Sequence, residues 1–224
     1  MAKNKNQAAL DELAGKQLLA SFGVNVPVSV MVPDAGAVGA AIENLKPPLA
    51  VKVMSPDILH KSDVGGVQIN LHSVAAVEQA INAMAALPAI RDARVDGYLI
   101  EEMAPAGQEV VVGAVRDADF GPMVMVGLGG IFVEVLADVA FRICPITRLD
   151  ATEMLAELKG AALLDGARGR QPVARDAIID VLLKIGGEDG LLMQHAGDFK
   201  EVDINPLIVS ATGAVAVDAR FILA

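Results

Sequence analysis

Lys52-Val53-Met54-Ser55-Pro56-Asp57-Ile58-Leu59-His60-Lys61-Ser62-Asp63-Val64-Gly65-Gly66 places a lysine inside an apolar strand and follows it with a polar loop that ends in two glycines. Leu49, Ala50, Val51, Val53 and Met54 flank Lys52. An ammonium buried in such a strand costs several kcal/mol unless an anion or a carboxylate answers it. One reading is a lysine that snorkels or pairs with a carboxylate; the other is a lysine that meets phosphate. Lys61 supplies a second cation, and Ser62 and Asp63 are turn or cap formers. Gly65-Gly66 lets the backbone turn without a Cβ and present N–H groups to an anion. An unprotonated imidazole at His60 is a nucleophile. No one of these features separates phosphate binding from an ordinary turn, but their succession in one short stretch favours phosphate.

Outward from this stretch, composition narrows the class. The chain has 224 residues, 54% of them hydrophobic, enough for one large or two small cores. A net charge of −10 and 3% aromatic residues argue against a nucleic-acid partner, which needs basic stripes and stacking platforms. Cys144 is the single cysteine, so no internal disulfide framework exists and a small core residue in a reducing compartment is expected. Mean hydropathy is high at +0.49. Yet the longest nearly uncharged apolar run, Gly121 to Val133, is broken by glycines and Pro122, whereas a spanning helix needs about 20 apolar residues. No membrane span and no secretory signal are expected, and the cytoplasm is the expected compartment.

Periodicity orders the elements. Leu10, Leu13, Ala14 and Leu18 predict a helix over about 7 to 22 that stops at Gly23, with Glu12 and Lys16 as an i, i+4 pair worth about 0.2 to 0.5 kcal/mol. Val26 to Val32 alternates as a half-buried strand, Asp34 can cap a helix running to about Asn44, and Leu49 to Met54 is the lysine strand. Val67 to Leu71 alternates again, and Ser73 can cap a helix with Val77, Ala80, Ile81, Met84 and Leu87 on its apolar face, down to Pro88. Strands then follow at Tyr98 to Met103, Glu109 to Arg116 and Met123 to Val126, helices at Ala151 to Leu158 and Val173 to Ile185, and two strands at Glu201 to Ile208 and Ala214 to Phe221. Strands segregated from the later helices predict an α+β architecture with two lobes. The expected divisions are 1–24, an N-terminal helix packing on the core; 25–97, a first lobe with the phosphate loop; and 98–224, a second lobe.

Near the C-terminus, Glu201-Val202-Asp203-Ile204-Asn205-Pro206-Leu207 puts two carboxylates and an amide oxygen on one strand face, about 7 Å apart. Oxygen ligands of this kind suit Mg²⁺, which takes one or two protein carboxylates and lets substrate phosphates supply the rest. A solvated edge strand is the competing reading. His72 and His195 are expected to be surface or locally bonded, and Arg168 and Arg170 to lie in an exposed loop.

Several ordered motifs together resemble the ATP-grasp (beta) subunit of ADP-forming (NDP-forming) acyl-CoA synthetases. They are Phe22-Gly23-Val24-Asn25-Val26-Pro27, the lysine strand, His60 to Val67, Glu101-Glu102-Met103, Gln108-Glu109-Val110, Arg116-Asp117, Phe120-Gly121-Pro122, Gly127-Leu128-Gly129-Gly130-Ile131-Phe132-Val133-Glu134 and Asp203 to Leu207. The resemblance covers nearly the whole chain and implies an ATP-grasp fold with the nucleotide between two α+β lobes. It implies ATP/ADP and Mg²⁺ as ligands: Lys52 at the α and β phosphates, Lys61 beside them, the loop at Gly65, Gly66 and Val67 over them, Glu102 and the backbone near Met103 at the adenine, and Glu109 at the ribose. Asn205 and Asp218 would hold the metal with Asp203 nearby. His60 would take up phosphate and pass it between nucleotide and the acyl-CoA-forming site. Gly129, Gly130 and Glu134 are similar to the second glycine loop of succinyl-CoA synthetases.

The implied net reaction interconverts acyl-CoA, ADP and phosphate with carboxylate, CoA and ATP through an acyl phosphate and a phosphohistidine. Lysines, backbone donors and a metal are the parts that phosphoryl transfer asks of a protein. The resemblance also implies a CoA-binding alpha subunit with a second catalytic histidine, which brings the carboxylic acid and CoA, in a heterotetramer. Two other readings stand beside it: an ATP-grasp carboxylate–amine ligase that needs no phosphorylated histidine, and a nucleotide-binding module without turnover.

Overall fold

The computed structural model describes residues 9–58, 60–130, 137–166, 171–195 and 197–224. Ala9–Leu10 is a short strand, β1, and the first helix begins only at Glu12 and runs to Ser21. Asp11 sets this later start: from an extended backbone its carboxylate accepts the N–H of Ala14 at 2.8 Å, which satisfies one of the donors a helix start leaves open. The stop falls where expected. Gly23 adopts φ +78° and the N–H of Val24 reaches back to the carbonyl of Leu19 at 3.1 Å.

The face this helix buries is not the leucine stripe but Glu12, Gly15, Lys16 and Leu19. Lys16 Nζ meets Glu12 Oε1 at 2.7 Å with both side chains only 2% exposed. The i, i+4 pair expected from spacing is present and is buried. Removing one member of a buried pair costs about 3–5 kcal/mol, against tenths for a surface pair.

Residues Pro27–Ala104 form one compact unit. Its sheet contains β2 (Ser29–Val32), β3 (Leu49–Met54), β4 (Val67–Leu71) and β5 (Gly97–Glu102) in the order β2-β5-β3-β4, antiparallel throughout. Asp34 caps only a 3₁₀ turn, Ala35–Ala37, followed by a single helical turn, Val38–Ala41. Ser73 caps the helix Val74–Ala86, whose Val77, Ala80, Ile81 and Met84 are buried, as the spacing predicts, whereas Leu87 is the C-cap, where the backbone turns extended, and is exposed. Three of them, Val77, Ile81 and Met84, close a core with Val32, Val51, Val53, Tyr98 and Ile100. The lobe boundary expected at 97/98 falls instead after Ala104, because β5 pairs with both β2 and β3 and is the centre of this sheet.

The second unit joins the residues up to Val26 with Pro105–Ala224. Its strands are β6 (Gln108–Asp117), β7 (Gly121–Leu128), β8 (Val139–Ile143), β9 (Phe199–Ser210), β10 (Gly213–Ala216) and β11 (Ala219–Leu223). They run β1-β11-β9-β6-β7-β8, with β10 also on β9. The helices Arg148–Glu157, started by a Thr147–Asp150 capping box, and Arg175–Gly186 contribute to one core with Val112, Val124, Val126, Val202, Ile204 and Phe221. β8 was not expected from the sequence. The single final strand predicted from Ala214 to Phe221 is split into β10 and β11, with Val217 and Asp218 between them. Antiparallel sheets with segregated helices are the α+β architecture expected. Among the described residues no helix is long and apolar enough to cross a membrane. Glu134, Arg168 and Arg170 lie outside the described residues.

Candidate active site

Lys52 stands in the middle of β3, 5% exposed, and its Nζ lies 3.0 Å from Glu101 Oε2 on the neighbouring β5. The register sets Lys52 opposite Leu99 and Ala50 opposite Glu101, so the two charges meet on a diagonal across one sheet face. The carboxylate required by a buried ammonium is therefore Glu101, a residue the sequence reading passed over in favour of its neighbour Glu102. An i, i+2 alternation signal was available: Leu99 and Glu101 share the face that Lys52 needs.

On the other side of β3, Val67 is opposite Lys52, and the N–H of Val53 donates to the carbonyl of Gly66 at 2.9 Å. The loop between them is pinned at both ends. Asp57 Oδ2 accepts the N–H of Arg94 at 2.8 Å, and Ser55 Oγ accepts the N–H of Asp57 at 3.1 Å. His60 is exposed at the head of the 3₁₀ turn Ser62–Val64, with its carbonyl accepting from Asp63 N–H at 3.3 Å.

The two glycines behave differently from the anion cradle expected of them. The N–H of Gly65 donates to the carbonyl of Ser62 at 3.2 Å and that of Gly66 to the carbonyl of Lys61 at 2.7 Å, so both donors are engaged inside the loop. Their glycine character is steric. Gly65 has φ +72°, and a Cβ on Gly66 would sit 2.6 Å from Val53 Cγ1 and 2.9 Å from the Lys61 carbonyl oxygen. Gly66→Ala is expected to destabilise the protein by about 1–3 kcal/mol in urea denaturation, through displacement of the loop from β3.

At the end of β5, Glu102 and Met103 hold the chain rather than stand open. Glu102 Oε1 accepts the N–H of Lys46 at 2.9 Å, the N–H of Met103 donates to the carbonyl of Pro48 at 3.0 Å, and Met103 Sδ receives the N–H of Asn70 at 3.2 Å. The Met103 N–H is thus engaged within this unit. Glu109 is exposed near the start of β6. Its carbonyl accepts the N–H of Gly129 at 2.9 Å, and a Cβ on Gly129 would fall 2.9 Å from Glu109 Cβ. Close approach of two strands explains Gly129.

In the second unit β9 carries the acidic cluster. Val202 and Ile204 are buried while Glu201, Asp203 and Asn205 lie toward the other face. Opposite them Val112 pairs with Ile204 but Val110 with Leu207, so Asn205-Pro206 forms a bulge. The bulge brings Asn205 to Asp218: its N–H donates to the Asp218 carbonyl at 3.2 Å. Burial raises the Asp203 pKa above the ordinary carboxylate value, Glu201 and Asp218 raise it further by repulsion, and Arg220, directly across on β11, opposes them. Arg220 is a site neighbour that the sequence reading missed.

Concentrated negative charge with an amide oxygen beside it fits a divalent cation. Among the described residues no group of three or more His, Cys, Asp or Glu side chains is placed to hold a metal ion. A carboxyl whose folded pKa is raised stabilises below its ordinary value, and that stability is lost as pH rises through the raised one. Asp203→Asn is therefore expected to raise the melting temperature of the metal-free protein at pH 7 and change it little at pH 3. Calorimetry of both proteins at the two pH values checks this.

Other titratable groups have local partners. Burial pushes the Cys144 thiol up to about 11, which makes it an inert core residue. His195 Nδ1 meets Asp198 Oδ2 at 3.1 Å with its ring edge on Phe22, and His72 is exposed.

The family model for the ATP-grasp domain matches residues 1–223. The chain is 41% identical to the beta subunit of ADP-forming acetate–CoA ligase I of Pyrococcus furiosus, over 99% of this chain and 94% of that one. It is 39% identical to ADP-forming acetate–CoA ligase I of Archaeoglobus fulgidus, over 93% of this chain but only 30% of that longer protein. Its structure is similar to dinucleotide-forming acetyl-coenzyme A synthetase 1 of Ca. Korarchaeum cryptofilum in complex with coenzyme A, Ca-AMPCP and HgCl⁺, with a TM-score of 0.92 and 37% identity over 100% of this chain and 96% of that one. A second structure of that protein holds coenzyme A, acetyl-coenzyme A and a phosphorylated phosphohistidine segment; its TM-score is 0.89, with 35% identity over the same shares. With a family model matched over nearly its whole length and a beta-subunit relative 41% identical over 99% of it, the chain belongs to the ATP-grasp family, among the beta subunits of ADP-forming acetate–CoA ligases.

Proposed function

We propose that this chain is the nucleotide-binding subunit of a cytoplasmic ADP-forming acyl-CoA synthetase and that His60 carries the phosphoryl group. ATP gives its γ-phosphoryl group to a ring nitrogen of His60 and ADP leaves. The group then passes, on a CoA-binding alpha subunit with its own histidine, to the carboxylate, and CoA displaces phosphate from the resulting acyl phosphate. Each step reverses. The observation that carries the reading is His60 itself, exposed on a loop whose two ends are tied to β3 and to Arg94, next to the strand that holds Lys52. An imidazole so placed is free to react while its loop keeps its footing.

Lys52, oriented by Glu101, and Lys61 neutralise nucleotide phosphates. Gly65, Gly66 and Val67 shape the loop that presents His60 rather than donate to the anion. The backbone around Glu102 and Met103 contacts the base, and Glu109 the ribose. Asn205 and Asp218, with Asp203, would hold Mg²⁺, which supplies charge neutralisation on the phosphates. The alpha subunit is supported by the beta-subunit relatives and by the longer single-chain relative of which this chain spans 30%. The test is incubation with Mg²⁺ and γ-labelled ATP beside His60→Ala. Acid-labile, base-stable label that requires His60 is the expected result. No label, with the alpha subunit present, would leave a direct carboxylate–amine ligase or a nucleotide-binding module.

A further inference from the structure

The apolar stripe of the helix Val74–Ala86 ends in a residue that leaves the core. Pro88 holds Leu87 in extended backbone, φ −65° and ψ 131°, and opens a four-residue helix, Pro88–Arg91. Met84 and Ile90, each 1% exposed, fix the chain on either side, and the Leu87 carbonyl accepts the N–H groups of Ile90 at 3.0 Å and Arg91 at 2.8 Å. Leu87 itself is 36% exposed. Its side chain lies on the histidine loop: a Cβ on Gly65 would meet Leu87 Cδ1 at 2.9 Å.

From Gly65 the contact reaches His60 through backbone hydrogen bonds. The N–H groups of Gly65 and Gly66 hold the carbonyls of Ser62 and Lys61, and the N–H of Asp63 holds that of His60. The other limb of the loop meets the same segment. Asp57 Oδ2 accepts the N–H of Arg94, and the N–H of Asp96 donates to the Met54 carbonyl at 2.8 Å. Ile58 and Val64, one on each limb, pack partly buried against the core of this unit. Residues 87–96 therefore touch both limbs of the loop, and His60 is presented between them.

We propose that Leu87 and Asp57 are positioning residues for His60, an inference that rests on the phosphohistidine reading above. Through them the segment 87–96, which contains no residue assigned to nucleotide or metal, fixes where the imidazole stands when it meets the phosphoryl group. Attack at phosphorus tolerates little displacement: reacting atoms stand about 3–3.5 Å apart in a productive geometry, and a shift of about 1 Å can cost about 10²-fold. Leu87 acts by reaching Gly65, and Asp57 acts by accepting one N–H, for which its charge is not required.

The test follows label from γ-labelled ATP to His60 in the full chain with Mg²⁺, in single turnover across a range of ATP concentrations. Leu87→Ala and Asp57→Ala are each expected to slow the saturated rate about 10-fold or more, with the ATP concentration at half-maximal rate unchanged. Leu87→Met still reaches Gly65, and the amide oxygen of Asp57→Asn still accepts the Arg94 N–H, so both should label within about 3-fold of the unmodified chain. Val74→Ala, at a position 40% exposed on the opposite end of the same helix, is the control and should label as the unmodified chain does. Undiminished labelling in either alanine variant overturns the proposal. So does a slowed rate that follows a fall in melting temperature and is not recovered in the conservative variants, or a raised ATP requirement at an unchanged saturated rate. Absence of label on the unmodified chain, with the alpha subunit also present, removes the phosphohistidine reading and this proposal with it, whereas label on the unmodified and alanine chains at one rate removes the proposal alone.

Discussion

His60→Ala, assembled with the alpha subunit, is expected to lose at least about 10³-fold in acyl-CoA synthesis, as removal of a covalent nucleophile does elsewhere. The isolated variant should also lose exchange of label between ADP and ATP, which in the unmodified chain needs only the first half-reaction. Its melting temperature and nucleotide affinity should not move. The reason is structural: the His60 side chain is exposed, and the hydrogen bond that its carbonyl accepts from the Asp63 N–H survives in alanine. Retained turnover with lost exchange would separate a direct ligase from the shuttle. Unchanged exchange would remove His60 from the chemistry altogether.

How far the sequence could be read depended on whether local pattern or long-range pairing decides each element. β3 was legible to the residue because a continuous apolar run broken by one lysine has few other solutions, and the helix at Val74 was legible because Ser73 and the 3.6 period agree. The first helix was misread at its start and on its buried face. Leucines at helical spacing outweighed Asp11, and nothing local says that Glu12 and Lys16 turn inward, since that depends on what packs above them. The same holds in the candidate site. His60, Lys52 and the acidic strand were visible as residue types in order. The partner of Lys52, the internal engagement of the Gly65 and Gly66 N–H groups, and the bulge that joins Asn205 to Asp218 are products of strand register, which one-dimensional spacing does not contain.

Lys52→Met is expected to have the largest effect on stability of any substitution at the site, about 3–5 kcal/mol, because it leaves the carboxylate of Glu101 buried without its ammonium. Lys52 and Glu101 are 7% and 1% exposed in their side chains, so water cannot take the missing partner's place. Glu101→Gln should cost less, since the amide oxygen still faces the ammonium and the charge removed is the one that burial disfavours. The informative variant carries both changes, Lys52→Met and Glu101→Leu. With no charge left in the strand pair it should recover most of the lost stability, as apolar replacements of buried ion pairs commonly do. Nucleotide affinity should not recover: loss of a desolvated cation at a phosphate is worth about 30-fold or more in binding. Urea denaturation and nucleotide titration on the same three variants therefore move apart if Lys52 is kept for phosphate and Glu101 for Lys52. If stability and affinity instead return together in the double variant, the pair is structural, and the phosphate role of Lys52 is lost with it.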